Sequence, residues 1–352
     1  MTNILIDIRY LETPHTGIAV GLKSFLDELK MSQPSGMNFY LIYNDINIYK
    51  DSDYYKSIQM KNKLFSIKEH FELYLILKKY NIDIFYSHHF VSPIFKPKKL
   101  KVVNIIHDLI PLKVSNTLSF IGERYYYFMN YITINHSSKI IANSYATKKD
   151  IENIFKRKNV EVVYHSYNIK KLSMYKDTIL DNLNLNKQKY FLFVSSLKKH
   201  KNYRNIIKSF NLFNQDKDYK LVLVGKQEDN LVSDKDIIFT NYIDDDELNS
   251  LYKYSCALLF VSFVEGFGVP ILEAQYHNCP VITSNISSMP EIAGDGALLV
   301  NPNNIDEIVG AMKKVLDNDF KNKLIFKGIK NIQNFSWEKY TNSIIKIFKG
   351  LR

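Results

Sequence analysis

Two glutamates, Glu265 and Glu273, stand eight positions apart around a glycine-rich turn. The turn follows an apolar run at 257–261 that predicts a short buried strand, and Pro270 favours a helix start just after it. The turn consists of Gly266, Phe267, Gly268 and Val269. Glycine lets backbone N–H groups approach a ligand closely, and a helix N-terminus attracts anions. The turn therefore suits a phosphate and the carboxylates suit sugar hydroxyls, which together predict a nucleotide-sugar site.

The elements that must position this turn alternate between short apolar runs and amphipathic stretches. In the first half we predict strands at 4–8, 39–43, 82–86, 102–106, 139–143 and 160–164, with helices at 20–29, 118–132 and 146–155. In the second half we predict strands at 190–194, 220–224, 237–239, 257–261, 280–283 and 297–300, with helices at 203–213, 246–254, 270–276, 304–316 and 337–348. This alternation predicts an α/β protein with two doubly wound, Rossmann-like domains that face each other across a cleft. The segment 166–189 lacks strong periodicity, so we place the domains at 1–170 and 171–352.

Composition limits the partners and the compartment. The chain has 352 residues and a net charge of +11, and residues 1–170 hold 23 Lys and Arg against 15 Asp and Glu. A basic first domain favours an anionic membrane surface, an acidic acceptor or a nucleic acid. We find neither a signal peptide nor an apolar run of the roughly 20 residues that span a bilayer. The expected location is therefore cytoplasmic. Cys256 and Cys279 sit in apolar surroundings and are expected in the core.

The turn and its two glutamates resemble the Glu-x7-Glu motif of the retaining glycosyltransferases of family 4, which have the GT-B fold. Further similarities run from Asp7 to Trp337 and are dense between 191 and 303. The resemblance implies a nucleotide-diphosphate-sugar donor bound by the second domain and an acceptor bound by the first. It also implies that the last helix packs back against the first domain.

A second segment resembles the family loop whose lysine contacts the donor diphosphate. Lys201 and Asn202 match that loop, which implies that both bind the donor. Ser195 stands where glycine is usual and His200 where arginine is common, so a second cationic contact is in doubt. Ser196 could donate a hydrogen bond to the phosphate instead.

Three further segments carry donor or catalytic roles by resemblance. His107, followed by Asp108, matches a histidine that reaches the transferred sugar, and we expect its ring to donate a hydrogen bond to a hydroxyl or a phosphate. Gly17 matches a backbone contact with the diphosphate or the acceptor. The backbone at Tyr242 and Ile243 matches the segment that holds the nucleobase.

The expected mechanism needs no metal ion and no cofactor. The acidic run at 244–247 has the position of a helix cap, since Leu248 and Leu251 follow at helical spacing. Lys201 and the N–H groups of the turn would stabilise the charge that grows on the leaving diphosphate, a task that Mg²⁺ performs elsewhere. Glu265 would bind hydroxyls of the transferred sugar and Glu273 the ribose, and His107, Lys201 and Glu265 form the expected catalytic set.

The identity of the substrates remains open at this stage. The resemblance favours GDP-mannose, with UDP-glucose and UDP-N-acetylglucosamine as alternatives. The expected acceptor is a glycan or lipid-linked saccharide of surface polysaccharide synthesis, with peripheral association at the inner face of the plasma membrane. Two alternatives remain among enzymes, a sugar-nucleotide epimerase and a phosphorylase. A nucleic-acid-binding protein is disfavoured because we recognise no such module and the positive charge is spread over the chain.

Overall fold

The computed structural model describes residues 1–13, 17–45, 48–49, 52–115, 117–167, 174–226 and 235–351. The chain divides into two compact units, one of Met1–His165 with Ser336–Arg352 and one of Ser166–Phe335. Each unit contains one parallel sheet, and helices connect most of the successive strands. The prediction of two Rossmann-like α/β domains is therefore confirmed.

The first unit contains seven strands: β1 (Thr2–Asp7), β2 (Met37–Tyr43), β3 (Tyr55–Gln59), β4 (Ile84–Ser87), β5 (Lys101–Ile106), β6 (Lys139–Ala142) and β7 (Val160–Val162). They form one sheet in the order β3-β2-β1-β4-β5-β6-β7, and every neighbouring pair is parallel. The strands β1, β4 and β5 read as nearly continuous apolar runs because both faces of such a sheet are covered. All seven carboxyl ends lie at one edge of the sheet, which is the edge where ligands bind in open α/β folds.

The helices of this unit are α1 (Gly17–Ser32), α2 (Ile67–Lys79), α3 (Phe120–His136) and α4 (Tyr145–Phe155). Serines begin the last three, because the hydroxyls of Ser66, Ser119 and Ser144 accept hydrogen bonds from backbone N–H groups in the first turn. The helices α2 and α3 pack only part of their surface on the sheet. Large apolar side chains on both of them remain exposed to solvent.

The second unit contains β8 (Tyr190–Val194), β9 (Lys220–Val224), β10 (Ile237–Asn241), β11 (Leu258–Phe260), β12 (Val281–Ser284) and β13 (Leu298–Val300). The sheet is parallel and has the order β10-β9-β8-β11-β12-β13. Its helices are α5 (Thr178–Asn182), α6 (Tyr203–Phe213), α7 (Asp245–Tyr254), α8 (Val269–Tyr276), α9 (Met289–Ala293), α10 (Ile305–Lys314) and α11 (Asn318–Ile332). The central β8 and β11 are neighbours, so the loops that follow them meet at the same edge.

The last helix, α12 (Trp337–Gly350), belongs to the first unit. Tyr340, Ile344 and Phe348 recur at a helical spacing of four, and all three are buried in the core that contains Phe25 and Tyr86. The hydroxyls of Tyr340 and Tyr86 share a hydrogen bond of 2.8 Å. The expected packing of this helix against the first domain is confirmed.

The domain limits predicted from the sequence, 1–170 and 171–352, need correction. The first unit ends at His165, five residues earlier, and the second ends at Phe335 because residues 336–352 return to the first. The reason is the apolar stripe on the last helix, which is buried in the first core although it follows the second unit in the chain. Residues 168–173 of the expected linker lie outside the described part.

The two cysteines are buried thiols, as the sequence predicted. Burial raises the pKa of Cys256 to about 11 and that of Cys279 to about 12, which keeps both protonated at neutral pH. Within the described ranges, the structure has no helix with the length and the apolar character needed to cross a bilayer.

Candidate functional site

The glycine-rich turn leaves the carboxyl end of β11 and leads into α8. Gly268 caps the helix with a φ of +119°, a left-handed backbone conformation that glycine adopts without strain. Pro270 occupies the first turn, where a missing N–H costs nothing. Phe267 is buried and packs edge-on against Phe335 at 6.1 Å, so it holds the turn in place. The predicted strand–turn–helix unit is therefore present, with the helix starting at Val269.

Lys201 and Glu265 meet in the space between the loops after β8 and β11. The Nζ of Lys201 lies 2.8 Å from Oε1 and 2.7 Å from Oε2 of Glu265. Ser262 donates a third hydrogen bond to Oε1 at 2.7 Å. The sequence predicted a ligand for each of these two charges, and the structure shows that they also pair with each other.

Serines after β12 fix the backbone of Glu265. The Oγ of Ser287 accepts from the N–H of Glu265 at 3.1 Å and lies 2.9 Å from its carbonyl oxygen. Ser288 donates to the carbonyl oxygens of Glu265 and Phe267, at 3.1 and 2.7 Å. These serines were not predicted from the sequence, because hydroxyls that hold a loop some twenty residues away carry no local pattern. Their clustering directly after a predicted strand is the one signal that could have indicated them.

The lysine loop owes its shape to Asn202. This residue ends a short 3-10 turn, Lys199–Lys201, with a φ of +60°, and begins α6. Its side-chain amide donates to the carbonyl oxygens of Val261 and Pro302, at 2.9 and 2.8 Å. The predicted donor ligand thus uses its amide group within the protein. We expect Asn202 to position Lys201 through the backbone.

Ser195 and His200 are the two residues that differ from the family loop, and the structure shows what surrounds each of them. Ser195 lies against Gly225, whose φ of +142° and missing Cβ make room for the Ser195 carbonyl. Burial, followed by the charge of Lys201, lowers the pKa of His200 to about 4. His200 is therefore neutral at pH 7, and Lys201 carries the positive charge at this point of the loop. Ser196 lies half-buried on the same loop.

The remaining donor residues of this unit lie on α8 and in the loop between β10 and α7. Tyr242 is exposed and Ile243 half-buried, directly after β10. Glu273 lies in the middle of α8, where Oε2 accepts a hydrogen bond of 3.1 Å from the hydroxyl of Tyr252. Because all strands are parallel, the loops after β8, β10 and β11 lie at one edge of the sheet.

The acidic run before α7 is a helix cap, as predicted. Asp244 accepts from the N–H of Glu247 at 2.7 Å, and Glu247 accepts from the N–H of Asp244 at 3.2 Å, which forms a capping box. Lys176 lies 2.9 Å from Asp244 and 2.8 Å from Glu247.

In the first unit, His107 lies just after β5 at the lining of a cavity of about 190 Å³. Its Nε2 lies 2.8 Å from the carbonyl oxygen of His88. A carbonyl can only accept, so Nε2 bears the proton. Burial lowers the pKa of His107 to about 4, which keeps the ring neutral and leaves Nδ1 as an acceptor. This argues against the expected donor role, because the one N–H of the neutral ring is already donated to the carbonyl oxygen of His88.

Aromatic residues line much of the same cavity, and Asp108 adds a carboxylate, a second hydrogen-bond acceptor, to its lining. The other lining residues are Tyr10, Ile18, His89, Phe90, Ile106, Asp108, Pro111 and Tyr126. Gly17 begins α1 beside Ile18, and a Cβ added to Gly17 would meet nothing within 4 Å. Thr16, which precedes it, lies outside the described residues.

A buried ion network supports the wall of this cavity. The guanidinium of Arg9 lies 2.6 Å from Asp7 and 2.6 Å from Glu69, and the Nε2 of His89 lies 3.2 Å from Asp7. Burial alone would raise the pKa of Asp7, but Arg9 and His89 outweigh it and hold the pKa well below its usual range. The network fixes the ring of His89, whose Nδ1 accepts from the N–H of Val91.

Comparison with solved structures defines the class of this fold. The chain superposes on sucrose-phosphate synthase from Thermosynechococcus elongatus with a TM-score of 0.78 and 15% identity, over 100% of this chain and 99% of that chain. It superposes on the Anabaena protein HepE in complex with UDP-glucose with a TM-score of 0.76 and 15% identity, over 99% and 100% of the two chains. The fold is that of the GT-B glycosyltransferases.

Two sequence families match the chain. The model of Glycosyltransferase Family 4 matches residues 50–171, and that of Glycosyl transferases group 1 matches residues 175–333. The chain therefore carries a family 4 glycosyltransferase domain followed by a group 1 glycosyltransferase domain.

The curated relatives include two enzymes of O-antigen synthesis. O-antigen chain mannosyltransferase B of Escherichia coli is 30% identical over 186 residues, which are 49% of this chain and 49% of that protein. O-antigen chain mannosyltransferase RfbU of Salmonella typhimurium is 27% identical over 255 residues, which are 69% and 67% of the two proteins. The first match thus spans about half the length of the relative.

Proposed function

We propose that the chain is a retaining hexosyltransferase that moves a sugar from a nucleotide-diphosphate donor to a saccharide acceptor. The observation that carries this proposal is the convergence of Lys201 and Glu265 beside the start of α8. One cation and a helix N-terminus suit a pyrophosphate, and a carboxylate suits hydroxyls. Membership of a glycosyltransferase family supports the same function.

In the proposed reaction, the acceptor hydroxyl attacks the anomeric carbon from the face that the leaving diphosphate occupies. The bond from the anomeric carbon to the diphosphate oxygen breaks, and the proton of the acceptor passes to a phosphate oxygen of the leaving group. Lys201 and the N–H groups of 266–268 stabilise the negative charge on that group, so the step needs no metal ion. Glu265 orients the hydroxyls of the transferred sugar, Glu273 binds the ribose, and His107 accepts a hydrogen bond from a sugar hydroxyl.

GDP-mannose is the donor that we propose. Two relatives are named as mannosyltransferases, which supports the sugar. HepE holds UDP-glucose, but at 15% identity its likeness extends to the fold alone. UDP-glucose and UDP-N-acetylglucosamine are therefore the competing donors to test.

We further propose a saccharide or lipid-linked acceptor of surface polysaccharide synthesis, used at the inner face of the plasma membrane. Ile67, Phe71 and Leu75 form an apolar stripe along α2, and each is more than half exposed. Phe120 and Ile121 are exposed to a similar or larger degree at the start of α3. We call these five residues the apolar face. A surface with such a face in a unit rich in lysine suits an anionic lipid headgroup region.

Two assays test the proposed function. Thermal unfolding with a panel of nucleotide sugars should show stabilisation by the true donor, about 2.7 kcal/mol at 100 times the dissociation constant. Incubation of that donor with acceptor saccharides should then give a glycosidic product. A sugar-nucleotide epimerase would convert the donor without an acceptor, and a phosphorylase would require inorganic phosphate, so either outcome would contradict the proposal.

A further inference from the structure

Lys201 and Glu265 are each satisfied by a partner within the protein. The ammonium group of Lys201 donates hydrogen bonds to Oε1 and Oε2 of Glu265, at 2.8 and 2.7 Å. Ser262 donates a further hydrogen bond to Oε1 at 2.7 Å. The exposed fractions of the two side chains are 15% and 8%. Removal of one partner from such an ion pair costs free energy, because the charge of the other partner stays uncompensated in a poorly hydrated place.

The two charges need chemically opposite partners. An ammonium group can exchange a carboxylate for a phosphate at little cost, since both are anionic acceptors. A carboxylate that loses its ammonium group must find donors, and hydroxyls of a sugar are donors. A nucleoside diphosphate alone offers phosphate oxygens and no hexose hydroxyls. It would draw Lys201 away, leave Glu265 with the hydrogen bond of Ser262 but without a cation, and add negative charge beside it.

Neighbouring residues prevent the carboxylate of Glu265 from moving away to a better hydrated position. Ser287 and Ser288 hold its N–H and carbonyl groups, so the backbone cannot carry the carboxylate out toward water without breaking these bonds. His200, which precedes Lys201, has a pKa of about 4 and cannot replace the lysine as a cation at neutral pH.

We propose that the Lys201–Glu265 pair makes the donor site select an intact nucleotide-diphosphate sugar over the free nucleoside diphosphate. The intact donor replaces both partners at once, because its pyrophosphate takes the lysine and its hexose hydroxyls take the glutamate. After transfer the hydroxyls leave with the product. Lys201 then returns to Glu265, and the diphosphate is released. This inference rests on the proposed function. It explains why the enzyme would prefer the intact donor and how it would release the nucleoside diphosphate.

The test is a calorimetric comparison of the donor identified by the panel with its nucleoside diphosphate. The variant Glu265→Gln removes the charge and keeps the size of the side chain, and Glu338→Gln, on the exposed start of α12, is the matched control for net charge. We expect Glu265→Gln to bind the diphosphate at least about tenfold more tightly than wild type, because Lys201 is no longer held. The preference for the intact donor should fall by a similar factor, while Glu338→Gln keeps both affinities.

A second variant shows whether the gain in diphosphate affinity comes from the release of Lys201 or only from the loss of a negative charge. In the background Lys201→Gln, the change Glu265→Gln should give no such gain in diphosphate affinity. An equal gain in both backgrounds, or an unchanged preference in Glu265→Gln alone, would overturn the inference. Failure of the proposed function has a different signature, since wild type would then bind no nucleotide sugar in the panel. Melting temperatures of all variants confirm that they are folded.

Discussion

The hydroxyl of Tyr252 on α7 donates a hydrogen bond to Oε2 of Glu273 on α8 across 3.1 Å. Tyr252 is fully buried, and its ring stacks on that of His277 at 5.7 Å with an interplanar angle of 11°. A tyrosine held in this way cannot follow a moving carboxylate. It therefore fixes the direction in which Glu273 presents its oxygens.

This contact predicts a defect confined to ribose binding. The variant Tyr252→Phe keeps the packing and removes the hydrogen bond that orients Glu273, so the affinity for the ribonucleoside diphosphate should fall about three- to tenfold, the scale of one ordinary hydrogen bond. The affinity for the 2′,3′-dideoxy analogue, which lacks the ribose hydroxyls, should change little. Calorimetry with both ligands checks this, and an equal loss for both would show that Tyr252 acts on the fold of the site instead.

Removal of either member of the charged pair should abolish most of the activity. We expect Lys201→Ala and Glu265→Ala each to lower the transfer rate by at least about 10²-fold, the scale of one preorganised charge contact. Lys199→Ala is the control, because this lysine is exposed two positions earlier in the same loop. Initial rates with the verified donor measure the effect. Near-normal turnover in both alanine variants would refute the assignment.

The histidine cluster of the first unit predicts a loss of stability in mild acid. Burial, and then the neighbouring histidines, holds the pKa values of His88 and His165 well below their usual range, and burial lowers that of His107 to about 4. These three rings lie within 5.6 Å of each other. In the unfolded chain they take up protons near pH 6.5, so the free energy of unfolding decreases as pH falls from about 6.5 toward 4.

Urea unfolding at pH 7 and pH 5.5 measures this decrease, in a range where most carboxylates stay ionised. His165→Phe should show a smaller decrease than wild type, because an aromatic ring remains between Trp337 and Tyr340 without a titrating group. An identical pH dependence in the variant and in wild type would exclude the cluster as the cause.

The apolar face on α2 and α3 predicts binding to anionic vesicles. The double variant Phe71→Ser with Phe120→Ser should lower the fraction that sediments with anionic vesicles at least about tenfold, because two large apolar side chains no longer enter the interface. Phe326→Ser, which removes an equally exposed ring from α11 of the second unit, should have no effect. Added salt should weaken binding of wild type. Equal sedimentation of the two kinds of variant would contradict this role of the apolar face.

The sequence predicted much of the fold because buried parallel strands are apolar throughout and their helices are amphipathic. It missed α2, whose apolar residues lie on two sides. Leu73 and Leu77 are buried while Phe71 and Leu75 are exposed, which blurs the helical period. It also missed β3, an edge strand with few apolar residues.

At the site, residue types and local order were predictable and the pairing was not. The turn before α8 and the cap of Asp244 follow from local rules and were predicted correctly. The pairing of Lys201 with Glu265 joins residues 64 positions apart and depends on the adjacency of β8 and β11. The proton on Nε2 of His107 depends on the carbonyl of His88, which only the folded sheet brings near.

A crystal structure of the chain with an intact nucleotide-diphosphate sugar tests the central claim most directly. We predict the pyrophosphate within hydrogen-bonding distance of the Nζ of Lys201 and of the backbone N–H groups at 266–268, with hexose hydroxyls on Glu265. The Lys201–Glu265 contact should be broken in that complex. A donor bound away from these groups, or a pair still closed beside a bound donor, would contradict the account.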